Sequence, residues 1–129
     1  MARITPWNGM HVIAMAVLAA LVTACGGAGQ EQGGGVGGAV AEGELLYQQT
    51  CAACHGADLN GTDSGPPFLD PIYAPDHHPD QAFLVAAEFG VQPHHWDFGP
   101  MPQQPVSEDE VGRIIAYIRS VQRREGIAP

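Results

Sequence analysis

Cys51-Ala52-Ala53-Cys54-His55 sets two thiols three positions apart, with an imidazole directly after them. This is the C-x-x-C-H spacing that attaches c-type haem. Each thiol can add across one of the two haem vinyl groups, and the intervening pair lets both reach the same macrocycle edge. The histidine that follows is then carried beneath the iron as its proximal ligand. A zinc ribbon would need a second ligand pair, and the only other cysteine, Cys25, lies in a segment of different character. Thioredoxin-like chemistry would need a βαβ context, which the flanking sequence does not supply. Cys51 and Cys54 are therefore read as covalent thioether positions for one haem c, and His55 as an axial ligand of its iron.

At 129 residues the chain holds one domain plus segments that are trimmed or unstructured. Residues 1–24 have the form of an export signal. Arg3 supplies a thin positive start, and an apolar stretch runs from Val12 to Ala24. About 13 apolar residues are too few for a transmembrane helix, which needs ~20. Leu21-Val22-Thr23-Ala24-Cys25 resembles a bacterial lipobox, in which Cys25 becomes the lipidated first residue. An ordinary signal peptide cut nearby, with Cys25 incidental, is the alternative. Residues 25–40 are dominated by glycine and are expected to be a flexible tether. Its r.m.s. span from Cys25 to Ala41 is on the order of 20–25 Å, from ~5–6 Å times the square root of residue number.

The folded domain is expected over residues 41–129. A short helix is expected at residues 42–50, with Glu42 and Glu44 near its start, where the helix dipole favours anions. Its apolar positions are Leu45, Leu46 and Tyr47. A Gly-, Asp- and Asn-rich loop over residues 56–65 leads into Gly65-Pro66-Pro67-Phe68-Leu69, where regular structure is forbidden and the backbone must wrap something. A second helix fits residues 79–89, with Pro79 at its first position and Gly90 as its cap. Ser107-Glu108-Asp109-Glu110 is a capping box, and Val111, Ile114, Ile115 and Ile118 recur after it at helical spacing, up to Gly126. No segment alternates as a strand would. The expected class is all-α.

With these residues in view, residues 41–124 resemble a class I, monohaem c-type cytochrome. Gly43 and Tyr47 stand eight and four residues before Cys51, where that family places a glycine and an aromatic on its first helix. Ile114 and Tyr117 match the packing pair on its last helix, which the first helix crosses at the glycine. Gly65-Pro66-Pro67 is similar to the loop whose proline carbonyl holds the proximal histidine through Nδ1–H. The family usually has one proline and one further residue before the leucine. Here a second proline and Phe68 intervene, so either Pro66 or Pro67 could serve His55.

The resemblance implies three to four short helices around one covalently attached haem, and a methionine as the second axial ligand. Met101, in Gly99-Pro100-Met101-Pro102, follows His55 by 46 residues on a proline-stiffened loop before the last helix. A lone methionine is usually core filler, but Met1, Met10 and Met15 all fall in the expected signal. His77, His78, His94 and His95 are the competing iron ligands. These two adjacent pairs are read as solvated loop histidines rather than a second metal site, because neighbouring side chains point in different directions. Trp96, with His94 or His95, is a candidate donor to a haem propionate, and core packing is its equal alternative.

Charge narrows the partners. Beyond the signal, Arg113, Arg119, Arg123 and Arg124 face fourteen carboxylates, a formal charge near −10, and no lysine or arginine lies between Cys25 and Gly112. Nucleic acid is excluded as a partner. The lysine ring of mitochondrial-type cytochromes c cannot be present. The resemblance implies a monomeric electron carrier, not an enzyme. It would be exported, held by lipid to the membrane facing the periplasm or cell exterior, and would pass single electrons between redox proteins. Iron held by both His55 and Met101 has no vacancy for substrate, and thioether ligation raises its potential. The alternative is a haem subunit of a periplasmic oxidoreductase or a small haem peroxidase, which would need an open distal position.

Overall fold

Helices alone make up the regular structure of the described residues, which in this computed structural model are 35–129. The expected signal at residues 1–24 and the lipidation position Cys25 lie outside them. In order come α1 (Val36–Thr50), α2 (Ala52–His55), a 3-10 turn (Pro71–Tyr73), α3 (Asp80–Phe89) and α4 (Glu108–Arg124). Thr62 with Gly65 and Val91 with Met101 form isolated β-bridges. The fold is all-α, as the sequence implied.

α4 is the spine. Ser107 Oγ accepts from the Glu110 backbone N–H at 3.3 Å, and the Glu110 carboxylate accepts from the Ser107 N–H at 2.8 Å. Three acids occupy its first turn, with Arg123 and Arg124 in its last, each end matching the helix dipole. Val111, Ile114, Ile115 and Ile118 are all buried. α1 crosses α4 where Gly43 meets the Arg113 backbone and Tyr117, so a hydrogen atom there lets the two main chains touch. Tyr47, one turn on, packs its ring 5.5 Å from that of Tyr117. Around this crossing Tyr47, Leu59, Phe68, Ile114, Tyr117, Ile118 and Val121 form the main core. A smaller cluster of Ala87, Val111 and Ile115 packs α3 on α4, and Phe83 touches both.

Two expectations need correction. α1 begins at Val36, not at residue 42, and so takes in the end of the stretch expected to be a tether. Glycines at 37 and 38 each cost a helix about 1 kcal/mol, but Val40 packs against the main core and brings the preceding turn with it. Leu45, grouped with the apolar positions of this helix, is 63% exposed.

Arg119 is the second correction. The sequence reading counts Arg119 only among the four basic residues beyond the signal, yet Arg119 is buried. It donates to the Asp80 carboxylate at 2.8 Å, to the Tyr73 carbonyl at 2.6 Å and to the His78 carbonyl. Gln122, one turn on and fully buried, donates to the Phe68 carbonyl at 2.7 Å. These two side chains tie the irregular segment 68–80 to α4.

Burial pushes the phenols of Tyr47, Tyr73 and Tyr117 up, that of Tyr73 to about 12. A tyrosine whose pKa is raised in the fold stabilises it fully below the ordinary value near 10, and that stability is lost as pH rises through the folded pKa. The expected result is no phenolate absorbance step near pH 10. Ionisation should instead be delayed above pH 10, that of Tyr73 toward pH 12, and coincide with loss of the helical circular-dichroism signal. Ionisation at pH 10 with helicity intact would contradict the packing.

Candidate functional site

His55 ends α2, a single turn that follows α1 through Cys51. Gly56, with φ of 81°, turns the chain out of it, and the buried Tyr47 hydroxyl donates to the Gly56 carbonyl at 2.6 Å to pin that turn. The imidazole is 7% exposed. Its Nδ1 lies 3.0 Å from the Pro66 carbonyl; a carbonyl only accepts, so the proton is on Nδ1 and Nε2 carries the free lone pair. Burial lowers the His55 pKa, opposed by the Pro66 bond, and the neutral ring results. Phe68 stacks on that ring, with centroids 4.2 Å apart and planes 16° from parallel. Since Gln122 holds the Phe68 carbonyl, α4 sets the plane of the histidine through two contacts.

Of the two prolines expected at the site, only Pro66 reaches His55. The Pro67 carbonyl accepts from the Asp70 N–H at 3.4 Å instead, and Pro67 is absent from the cavity walls described below. The extra proline thus lengthens the exit of the loop without displacing the acceptor.

Cys51 is half-buried and Cys54 exposed. Burial pushes the Cys51 thiol up, only partly opposed by the Thr50 hydroxyl 3.3 Å away. The Thr62 hydroxyl donates to the Cys54 carbonyl at 2.6 Å and fixes the loop across the thiols.

Above these groups lies a cavity of about 670 Å³. α4 contributes Val111, Ile114, Ile115 and Ile118 to its wall, α3 contributes Phe83, and Cys51 and His55 lie at its base. A second cavity of about 280 Å³ is bordered by Cys51, Cys54, His55, Pro66 and Met101. Cys51, His55, Pro66 and Met101 border both, so the two are lobes of one slot. Met101 is placed there by paired backbone hydrogen bonds with Val91, at 2.9 and 3.0 Å. Gly90 permits that approach: its φ is +76°, and a Cβ there would stand 2.5 Å from the Met101 carbonyl oxygen.

Trp96 borders the same cavity and stacks on Tyr73, centroids 5.8 Å apart with planes 12° from parallel. The two histidine pairs lie on loops, with His77, His94 and His95 exposed as expected, and they also approach each other. His77, His78 and His95 place one ring nitrogen each within 4.8 Å of one another. His94 lies beside them, 4.3 Å from His95 between centroids. Comparing neighbours within each pair missed this, because the convergence is between pairs on two different loops. Desolvation, then the neighbouring imidazoles, hold the His95 pKa below the ordinary histidine value.

The slot therefore offers two cysteine sulfurs at one edge, an imidazole held by a backbone carbonyl, a thioether from another loop and apolar walls between them. This donor set suits a flat apolar macrocycle whose metal takes one nitrogen and one sulfur ligand. The sequence model of the Cytochrome c family matches residues 40–122. The chain is 31% identical over 106 residues to cytochrome c-551 of Bacillus subtilis (strain 168), an alignment covering 78% of this chain and 85% of that protein. No solved structure matches the chain.

Proposed function

Because the chain belongs to the cytochrome c family, whose members bind one covalently attached haem c, we propose that it is a membrane-anchored carrier of single electrons with His55 and Met101 as axial ligands. The bound haem would supply a one-electron Fe(II)/Fe(III) couple. The observation that carries the reading is the shared slot of Cys51, His55 and Met101, with His55 Nδ1 bonded to the Pro66 carbonyl. Cys51 and Cys54 hold the macrocycle edge. Pro66 and Phe68 fix the tautomer and plane of His55, so that Nε2 meets the metal without reorganisation. Met101, on the wall of the same slot, would be the iron's second protein ligand and would leave no ligand position for substrate. Trp96, with His94 or His95, would provide donors to a propionate. The apolar wall from α4 would exclude water, so less solvent would have to reorient when the centre gains or loses an electron, and the more highly charged Fe(III) form would be disfavoured. Reductive titration of the purified holoprotein should take up one electron per chain, reversibly, with no turnover of peroxide. Multi-electron uptake or peroxide consumption would contradict a carrier.

The anchor rests on Leu21-Val22-Thr23-Ala24-Cys25. Among the described residues no helix is long and apolar enough to cross a membrane. One acyl chain binds a membrane marginally and two bind it firmly, so a diacylated Cys25 should keep the haem protein with membranes through a salt wash. Cys25→Ser should release most of it to the soluble fraction or leave it uncleaved. Wild-type protein washed off by salt, with an unmodified N-terminus, would contradict anchoring.

Docking follows from charge. With no lysine or arginine between Cys25 and Gly112, electron transfer to an acidic partner should be slow and should accelerate with salt, which screens repulsion over ~8–10 Å. A basic or largely apolar docking face should be preferred. Rates that fall steeply with salt against an acidic partner would contradict this.

A further inference from the structure

We propose that His77, His78 and His95 form a second metal site, on the rim of the slot, for Zn²⁺ or another imidazole-preferring divalent cation of the first transition row. Their ligand nitrogens lie within 4.8 Å of one another. Tetrahedral zinc with Zn–N of about 2.05 Å needs these nitrogens about 3.3 Å apart, so rotation of side chains closes the remaining gap. His77 and His95 are exposed and free to make it.

The third ligand is already oriented. His78 Nδ1 donates to the Ile72 carbonyl at 2.6 Å, which fixes the tautomer and leaves the free lone pair on Nε2, the arrangement that metal-ligating histidines use. Its backbone is held as well, by an N–H bond to the Ala74 carbonyl at 2.8 Å and by Arg119 on its own carbonyl. The rings are splayed around a common point rather than stacked: interplanar angles are 56° for His77–His78, 55° for His77–His95 and 69° for His78–His95. Three imidazoles and a water complete a four-coordinate zinc ion, and an all-nitrogen set does not suit Mg²⁺ or Ca²⁺.

Such a site has a mechanical consequence. His77 and His78 follow the 3-10 turn, whereas His95 belongs to the loop that leads to Met101. A bound cation would clamp these two loops together across the mouth of the slot. The inference does not depend on the axial ligands proposed above, and its test reads metal binding and stability alone.

Tag-free, full-length holoprotein would be titrated with Zn²⁺ at neutral pH by calorimetry, and its unfolding followed with and without the metal. The expected result is one Zn²⁺ per chain and, at about a hundredfold excess over Kd, an unfolding midpoint raised by at least about 5 °C. His77→Ala and His95→Ala should each weaken binding at least about tenfold, the smallest loss seen even when an outer partner of a metal ligand is removed. The double variant should lose both the bound ion and the midpoint shift. No stoichiometric uptake, or uptake unchanged in the double variant, would overturn the proposal.

Discussion

Gly43→Ala is expected to be among the most damaging single-methyl additions to this domain. A Cβ at that position would collide with the Arg113 carbonyl oxygen, stand 2.5 Å from its carbon and 3.1 Å from Tyr117 Cβ. The obstacle is main chain in the middle of α4, which no rotamer change removes. α1 must move away from α4 and give up packing at Tyr47, Tyr117 and Ile114. Overpacking of a well-filled core costs 1–3 kcal/mol or more, and with backbone as the obstacle about 3 kcal/mol or more is expected. For a domain this size the midpoint should fall by roughly 12 °C or more. Gly112→Ala is the control. It lies on the exposed face of α4 with nothing within 4 Å of the added methyl, so the same chemical change should stabilise by about 0.5–1 kcal/mol. Equal effects at the two positions would contradict the helix crossing.

Met101→Ala is expected to change the metal centre more than any other substitution that leaves the haem attached. A thioether bound to Fe(III) gives c-type cytochromes a weak band near the red end of the spectrum and holds Fe(II) more tightly than Fe(III). Its removal should abolish that band, admit carbon monoxide or cyanide, and lower the potential by on the order of 100 mV, within the ~0.8 V that axial ligands control. Met101→His should also lower the potential while keeping the iron six-coordinate. Cys51→Ala and Cys54→Ala would instead weaken attachment, which separates loss of a ligand from loss of the cofactor. If changes at His94 or His95 altered the spectrum while Met101→Ala did not, the iron would be held by two histidines.

The helices were legible where the sequence carries its own punctuation. Ser107 with Glu110 marks the start of α4, Pro79 and Gly90 bracket α3, and four spaced aliphatic residues give α4 its buried face. The start of α1 was not legible, because a glycine-rich turn reads as coil until Val40 is seen against the core. Gly43 and Tyr47 were placed by resemblance, and the structure gives their reason in the α1–α4 contact. Contacts that close through space were hidden. Nothing local distinguishes Arg119 from Arg123, yet one is interior and the other faces solvent, because Arg119 meets carbonyls of the 3-10 turn and of the segment that follows it. Phe68 looked like an insertion between proline and leucine, and it proves to be the stacking surface of His55. The convergence of His77, His78 and His95 depends on how two irregular loops fold against each other, which periodicity does not encode.

If His55 and Met101 both hold the iron, the centre exchanges electrons and nothing else. Carbon monoxide added to the reduced, wild-type holoprotein at neutral pH tests it most directly. The prediction is an unchanged Fe(II) absorption spectrum, since His55 and Met101 leave no position for the gas. A prompt shift to a carbon monoxide-bound spectrum would show an open or labile distal position and contradict the carrier reading.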